Sequence, residues 1–148
     1  MYKHILITTD GSELAQKGVD QGLKLAARLG AKGTVLTVTE PLHPAAARAA
    51  IQGGIDDPVA RYDQQIDQAM KDRYEAIEQI ATRHGATVEL LHETDEFPAE
   101  AIVRVAKLKD CDLIVMSSHG RRGIQKMLLG SQTSEVLVNT TVPVLVIR

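Results

Sequence analysis

The chain has 148 residues, 44% of them hydrophobic and 24% charged. That composition excludes disorder, and the length suits a single domain over 1–148 with its own core. A net charge of −2, four aromatics (Tyr2, Tyr62, Tyr74, Phe97) and no Trp offer nucleic acid neither a basic field nor a stacking platform.

His4 to Thr8 reads as a short strand, followed by the polar string Thr8-Thr9-Asp10-Gly11-Ser12. Ser12 is placed to cap a helix whose apolar face is Ala15, Val19, Leu23, Ala26 and Leu29, and Gly30 stands where a helix ends. A second strand follows at 34–38. Glu40 to Asp56 is irregular, a loop with room for one short helix in its Ala-rich middle. Asp57-Pro58 opens a long helix to about His84, with Asp57 as N-cap, Pro58 at the first helical position and Gly85 closing it.

Thr87 to Leu91 reads as a third strand, and Phe97-Pro98 opens a shorter helix carrying Ile102, Val103 and Ala106. Leu113 to Met116 is a strand apolar at every position, as expected when helices cover both faces. A Gly-rich segment runs from Ser117 to Ser131. A helix over 132–139 and a last strand over 142–147 complete the chain. Alternation of this kind predicts an α/β fold: an open five-stranded parallel sheet with helices on both faces.

Cys111 is the only cysteine, which excludes an internal disulfide and a CxxC pair. No signal peptide is visible, and no apolar stretch approaches the roughly 18–20 residues that span a bilayer. The expectation is a cytoplasmic protein with no membrane partner.

In such a sheet, ligands bind beyond the carboxyl ends of the strands, at the switch point of the winding. Four places qualify: Thr8-Thr9-Asp10, Val38-Thr39-Glu40, His92-Glu93 and Ser117-Ser118-His119-Gly120. The last is the richest, because Arg121-Arg122-Gly123 and Gly130-Ser131-Gln132-Thr133 follow. Glycines let a ligand approach the backbone, a helix N-terminus presents free N–H groups, and the hydroxyls of Ser131, Thr133 and Ser134 add donors. Phosphate suits this set. An ordinary helix start with Ser131 as N-cap accounts for the same residues equally well.

The pattern Asp10 after a first strand, Ser117-x-x-Gly120, nine residues, then Gly130-Ser131 resembles the universal stress protein family. The wording Ser118-His119-Gly120-Arg121-Arg122-Gly123, Leu128-Leu129-Gly130-Ser131 and Val142-Pro143-Val144-Leu145-Val146 is similar to it as well. The resemblance covers the whole chain. It implies strand order 3-2-1-4-5, in the adenine nucleotide alpha hydrolase-like (flavodoxin-like) three-layer arrangement, and an ATP- or AMP-binding subgroup. By position, it implies Asp10 beside the adenosine, with Thr8 and Thr9 leading to it. The Val38 backbone would meet the adenine edge, and Met116 and Ser117 would lie near the ribose. Gly120, Gly130, Ser131 and Gln132 would hold phosphates, with His119, Arg121, Arg122 and Thr133 in the same segment and magnesium carried on ATP. It also implies a homodimer through residues 142–148.

One position departs: Ser117 stands where the family has its first motif glycine, adding a Cβ and a hydroxyl near the sugar. Three other chemistries are excluded. A receiver-type domain needs an acidic pair after strand one, an Asp after strand three and a Lys after strand five. A dinucleotide dehydrogenase needs GxGxxG, which Asp10-Gly11-Ser12-Glu13 is not. A Ser hydrolase needs a GxSxG elbow, and no Ser–His–Asp spacing supports His119 in catalysis. Two alternatives to a nucleotide-binding regulator stay open: a nucleotide-free dimeric interaction module of the same fold, and a slow ATPase.

Overall fold

The computed structural model describes residues 1–120 and 129–148. The elements in chain order are β1 (His4–Thr8), α1 (Glu13–Leu29), β2 (Lys32–Thr39), α2 (Pro44–Gln52), α3 (Pro58–His84), β3 (Thr87–Thr94), α4 (Pro98–Leu108), β4 (Leu113–Ser117), α5 (Ser131–Asn139) and β5 (Val144–Ile147).

The helix boundaries follow local chemistry. Ser12 accepts the Ala15 N–H at 3.2 Å, and Gly30 closes α1 in the left-handed region at φ 63°. Only glycine enters that region without a Cβ penalty. Asp57 accepts from Ala60 N at 3.2 Å ahead of Pro58. The last turn of α3 reaches α1, where Arg83 and His84 both meet Asp20, at 2.7 and 2.8 Å. The His84 hydrogen bond is the main reason the Asp20 carboxyl sits below its usual range.

The five strands form one parallel sheet in the order β3-β2-β1-β4-β5. Neighbouring residues of a strand point to opposite faces, and the core divides accordingly. Ile5, Ile7, Val35 and Val115 pack with Val19, Leu23, Ile77 and Ile80 of α1 and α3. Leu6, Leu36, Ile114 and Met116 pack on the other side with Ile102, Val105 and Val136 of α4 and α5. β1 and β2 are followed by helices on the first face, and β3 and β4 by helices on the second. The winding therefore reverses between β1 and β4, and the carboxyl ends of those two strands form the switch point. Cys111 is buried on the α4 side, and burial pushes its thiol up to about 11. Among the described residues, no helix is long and apolar enough to cross a membrane.

Three expectations change in detail, and a fourth is located. β3 runs to Thr94, so His92 and Glu93 lie inside the strand and not after it. The ladder with β2 continues through Thr37↔His92, Val38↔Glu93 and Thr39↔Thr94, and Thr39 Oγ1 meets His92 Nε2 at 2.7 Å. An edge strand is half-buried and tolerates such polar residues. β5 begins at Val144, because Pro143 has no N–H to give the ladder and only its carbonyl joins, accepting from Ile114 N at 2.9 Å. α5 begins at Ser131, with Gly130 as its N-cap, so Ser131 is not the cap. The short helix of the irregular stretch is α2, started by His43, whose ring accepts from Ala45 N at 3.1 Å.

Candidate functional site

The β1–α1 loop is a series of short side-chain-to-backbone turns. Thr9 N–H donates to Leu36 O at 3.0 Å, and Thr9 Oγ1 accepts from Gly11 N at 3.1 Å. Asp10 Oδ1 accepts from Ser12 N at 2.9 Å. Gly11 sits at φ 79°, where a side chain would be strained. Together these bonds hold the Asp10 backbone at the end of β1, and its Oδ2 lies beside Gly120 across the switch point.

Gly120 lies on the far side. A Cβ there would run into Asp10 Oδ2, so the two strand ends approach as closely as glycine allows. Gly130 lies against the same strand end. Its N–H donates to Ser118 O at 2.7 Å, and a Cβ would come within 3.1 Å of His119 Cα. Ser117 Oγ donates to His119 O at 3.0 Å, and Ser118 Oγ shares a hydrogen bond with His119 Nδ1 at 3.1 Å. The hydroxyl of Ser117 therefore folds back on its own loop. Thr133 Oγ1 donates to Ser117 O at 2.8 Å, tying the first turn of α5 to the end of β4.

Two helix N-termini meet at this edge. Gly130 supplies α5 with no side-chain cap, so the first-turn N–H groups of Ser131 and Gln132 receive nothing from position 130. Phe97 supplies α4 with none either. Gln132 makes up the second deficit from outside: its Oε1 accepts from Ala99 N at 3.0 Å. Both helices turn their partially positive ends toward the carboxyl edge of the sheet, an arrangement that favours an anion.

Thr9, Asp10, Ser117, His119, Gly120, Gly130, Ser131 and Gln132 thus converge, with Thr8 half-buried where β1 ends and Val38 half-buried at the end of β2. Two expected residues are placed differently. Met116 is 4% exposed and belongs to the core, and Thr133 is 2% exposed with its hydroxyl turned inward. Burial within the α4/α5 layer takes both side chains away from the open edge. The Gly130 N–H, expected among the phosphate donors, is already engaged by Ser118. Arg121 and Arg122 lie outside the described residues. Among the described residues, no group of three or more His, Cys, Asp or Glu gathers as a metal site.

Two residues and one side-chain role escape the sequence reading. The Arg73 guanidinium lies against Gly11, where a Cβ would collide with it. Its signal was legible: Arg73 falls on the stripe of Met70, Ile77 and Ile80, where a cation is out of place. Gln132 was expected for its backbone alone, and its side chain serves the start of α4. Phe97, the one phenylalanine, stands at the carboxyl edge after all, because the β3–α4 turn brings it there.

The model of the universal stress protein family matches residues 1–148. Universal stress protein YxiE of Bacillus subtilis (strain 168) is 28% identical over 151 residues, covering all of both chains. The solved structure of MJ0577, a universal stress protein of Methanocaldococcus jannaschii, superposes with TM-score 0.75 at 26% identity, over 99% of this chain and 96% of that one. A universal stress protein solved in complex with cAMP superposes with TM-score 0.66 at 25% identity, over 99% and 97%.

Proposed function

The chain belongs to the universal stress protein family, and from that premise we propose that it binds an adenine nucleotide, ATP or AMP, across the carboxyl ends of β1, β2 and β4. The observation that carries this reading is the close approach of Asp10 and Gly120 at the switch point, beside the uncapped start of α5. The structural relative in complex with cAMP supports the class of ligand. In this reading Asp10 lies against the adenosine and the Val38 backbone meets the adenine edge. The N–H groups of Ser131 and Gln132, with the Ser131 hydroxyl, take the phosphates. Magnesium enters on the phosphates of ATP. The bound nucleotide sets the conformation the protein presents, giving it a sensing or regulatory role in stress response.

Ser117 is compatible with this reading, because its hydroxyl is held by His119 O and its Cβ is the only addition to the sugar side. Calorimetry with AMP, ADP and ATP in the presence of magnesium tests the proposal, together with mass analysis of nucleotide released from freshly purified protein. Heat with at least one nucleotide is expected. Silence with all three overturns the reading, and a gain of binding in Ser117→Gly would then identify the departure as the cause.

A second observation favours self-association. β5 is an edge strand, and Leu137, Val138 and Leu145 are exposed around it, Val138 at 82%. We propose that residues 142–148 pair with a second copy of the chain, covering that edge. Light scattering should give a dimer for the full chain and a monomer after deletion of 142–148. A dimer that survives the deletion overturns it.

A further inference from the structure

Phe97 is an exposed ring that is held in place. It is 55% exposed, yet its backbone is fixed on both sides, its carbonyl accepting from Ala101 N at 3.2 Å. Its N–H donates to Asp95 Oδ1 at 2.8 Å, and Arg104 holds the other Asp95 oxygen at 3.2 Å. The Phe97 N–H is the main reason the Asp95 carboxyl lies below its usual range. The Asp95 N–H in turn donates to Thr39 O at 2.9 Å, which stitches the turn to the residue after Val38. Two residues past the ring, Ala99 is buried in the cluster that contains Leu36 and Met116, with Val38 at its edge. The first turn of α4 therefore stands beside the end of β2.

An N-cap normally carries Ser, Thr, Asp or Asn, and an apolar residue there leaves N–H groups unserved. Here Gln132 supplies the missing acceptor from α5. Position 97 is thereby relieved of capping and presents an aromatic face to solvent at the sheet's carboxyl edge. Among the described residues, neither core cluster includes that ring.

We propose that Phe97 is the base-contacting ring of the site, stacking on the adenine whose edge the Val38 backbone meets. This rests on the nucleotide reading above. Aromatic stacking is tolerant of base identity, so the ring supplies affinity for a base of any kind, and the Val38 backbone supplies the preference for adenine.

The chain has no Trp, so a Phe97→Trp variant carries a single indole at this position. AMP should change its fluorescence, and ribose 5-phosphate, which has the sugar and phosphate but no base, should not. By calorimetry, Phe97→Ala should weaken AMP about tenfold, and Phe97→Tyr should restore nearly all of that loss. Circular dichroism of Phe97→Ala should match the parent, since the ring is exposed. Two results overturn the inference while leaving the nucleotide reading intact: a parent protein that binds AMP and a Phe97→Ala that binds it equally well, or an indole that responds equally to ribose 5-phosphate. A parent that binds no adenine nucleotide removes both.

Discussion

The amino ends of the strands are tied to one another by charged side chains, whereas at the carboxyl ends the loops after β1 and β4 are drawn together by glycine, hydroxyl and backbone, with Arg104 pairing Glu93 and Asp95 only alongside, at the β3–α4 turn. At the amino end, Asp112 accepts from the backbone N–H groups of Lys3 and His4 at 2.8 and 3.0 Å. Glu89 lies between Lys109 and Lys32, at 2.5 and 2.6 Å. The His4 ring engages Lys109 O with one nitrogen and Thr34 Oγ1 with the other. These bonds join β1, β2, β3 and the α4–β4 turn, and leave little for a ligand to do. At the carboxyl end, Thr9 Oγ1, Asp10 Oδ1 and the Ser117 and Ser118 hydroxyls bond within their own loops, and glycines bring the two loops together. One end of the sheet is closed on itself, and the other is where the proposed reading seats a nucleotide between the loops.

The sharpest way to separate the two ends is Gly120→Val. The new side chain would displace the Asp10 carboxylate, and Gly120 itself is exposed, so the core is untouched. AMP affinity measured by calorimetry should fall about a hundredfold, or about 2.7 kcal/mol. The melting temperature should move by only a few degrees. A large loss of stability with binding intact would show that the Asp10–Gly120 approach is structural, and the contrast between the ends would fail.

Gln132→Ala tests whether the carboxyl end also carries stability. It removes the acceptor of the Ala99 N–H at the buried start of α4. The expected cost is about 1–2 kcal/mol in urea unfolding, the usual range for a lost helix cap. Gln132→Glu should recover it, since a carboxylate also accepts that bond and suits a helix N-terminus.

Glu89→Gln is the matching change at the amino end. Lys109, then Lys32, holds the Glu89 carboxyl down to about 2, from an ordinary 4.5. A carboxyl depressed on folding adds stability that is complete above about pH 4.5 and lost as pH falls through about 2. The pair is partly exposed, so solvent screening limits the effect to about 1 kcal/mol at pH 7. Urea midpoints of the parent and of Glu89→Gln should differ most at neutral pH and converge as pH falls below about 4.5. A gap that does not depend on pH would mean the lysines contribute through packing and not through charge.

The amino-acid sequence made the helix ends legible because capping is local. Ser12, Gly30, Asp57 with Pro58, and Gly85 each act within a few residues of their own position. The sheet was legible as alternation, but its order came from resemblance, since no periodicity says which strand sits at an edge. β3 was read too short because His92 and Glu93 look like a strand end, and only the ladder with β2 shows otherwise. In the site, Asp10, Gly120 and Gly130 were legible as a spaced pattern. Phe97 and the Gln132 side chain were not, and Arg73 was legible only as a cation out of place on an apolar stripe, because each takes its meaning from a partner far along the chain. Arg73 meets Gly11, Gln132 meets Ala99, and Phe97 is positioned by a turn bonded to Thr39.

Thr37 lies between the two regimes, on the carboxyl half of β2. Alternation places it on the face of Val35, toward α1 and α3. It is 1% exposed, and among the described residues its Oγ1 is the buried side-chain polar atom with no hydrogen-bond partner. Its strand neighbour two residues on, Thr39, has taken His92 instead. Removing an unpaired buried hydroxyl while keeping the branched shape is expected to help the fold, because the desolvation of that oxygen is not repaid by any bond. Thr37→Val should therefore raise stability by about 0.5–1 kcal/mol in urea unfolding, the smallest change of the four and the only gain. Affinity for AMP should not move, because the side chain faces away from the layer that holds Val38 and Ala99. A loss of stability would mean that the hydroxyl is hydrogen-bonded in solution, and that the polar character of the carboxyl end extends one layer beneath the loops.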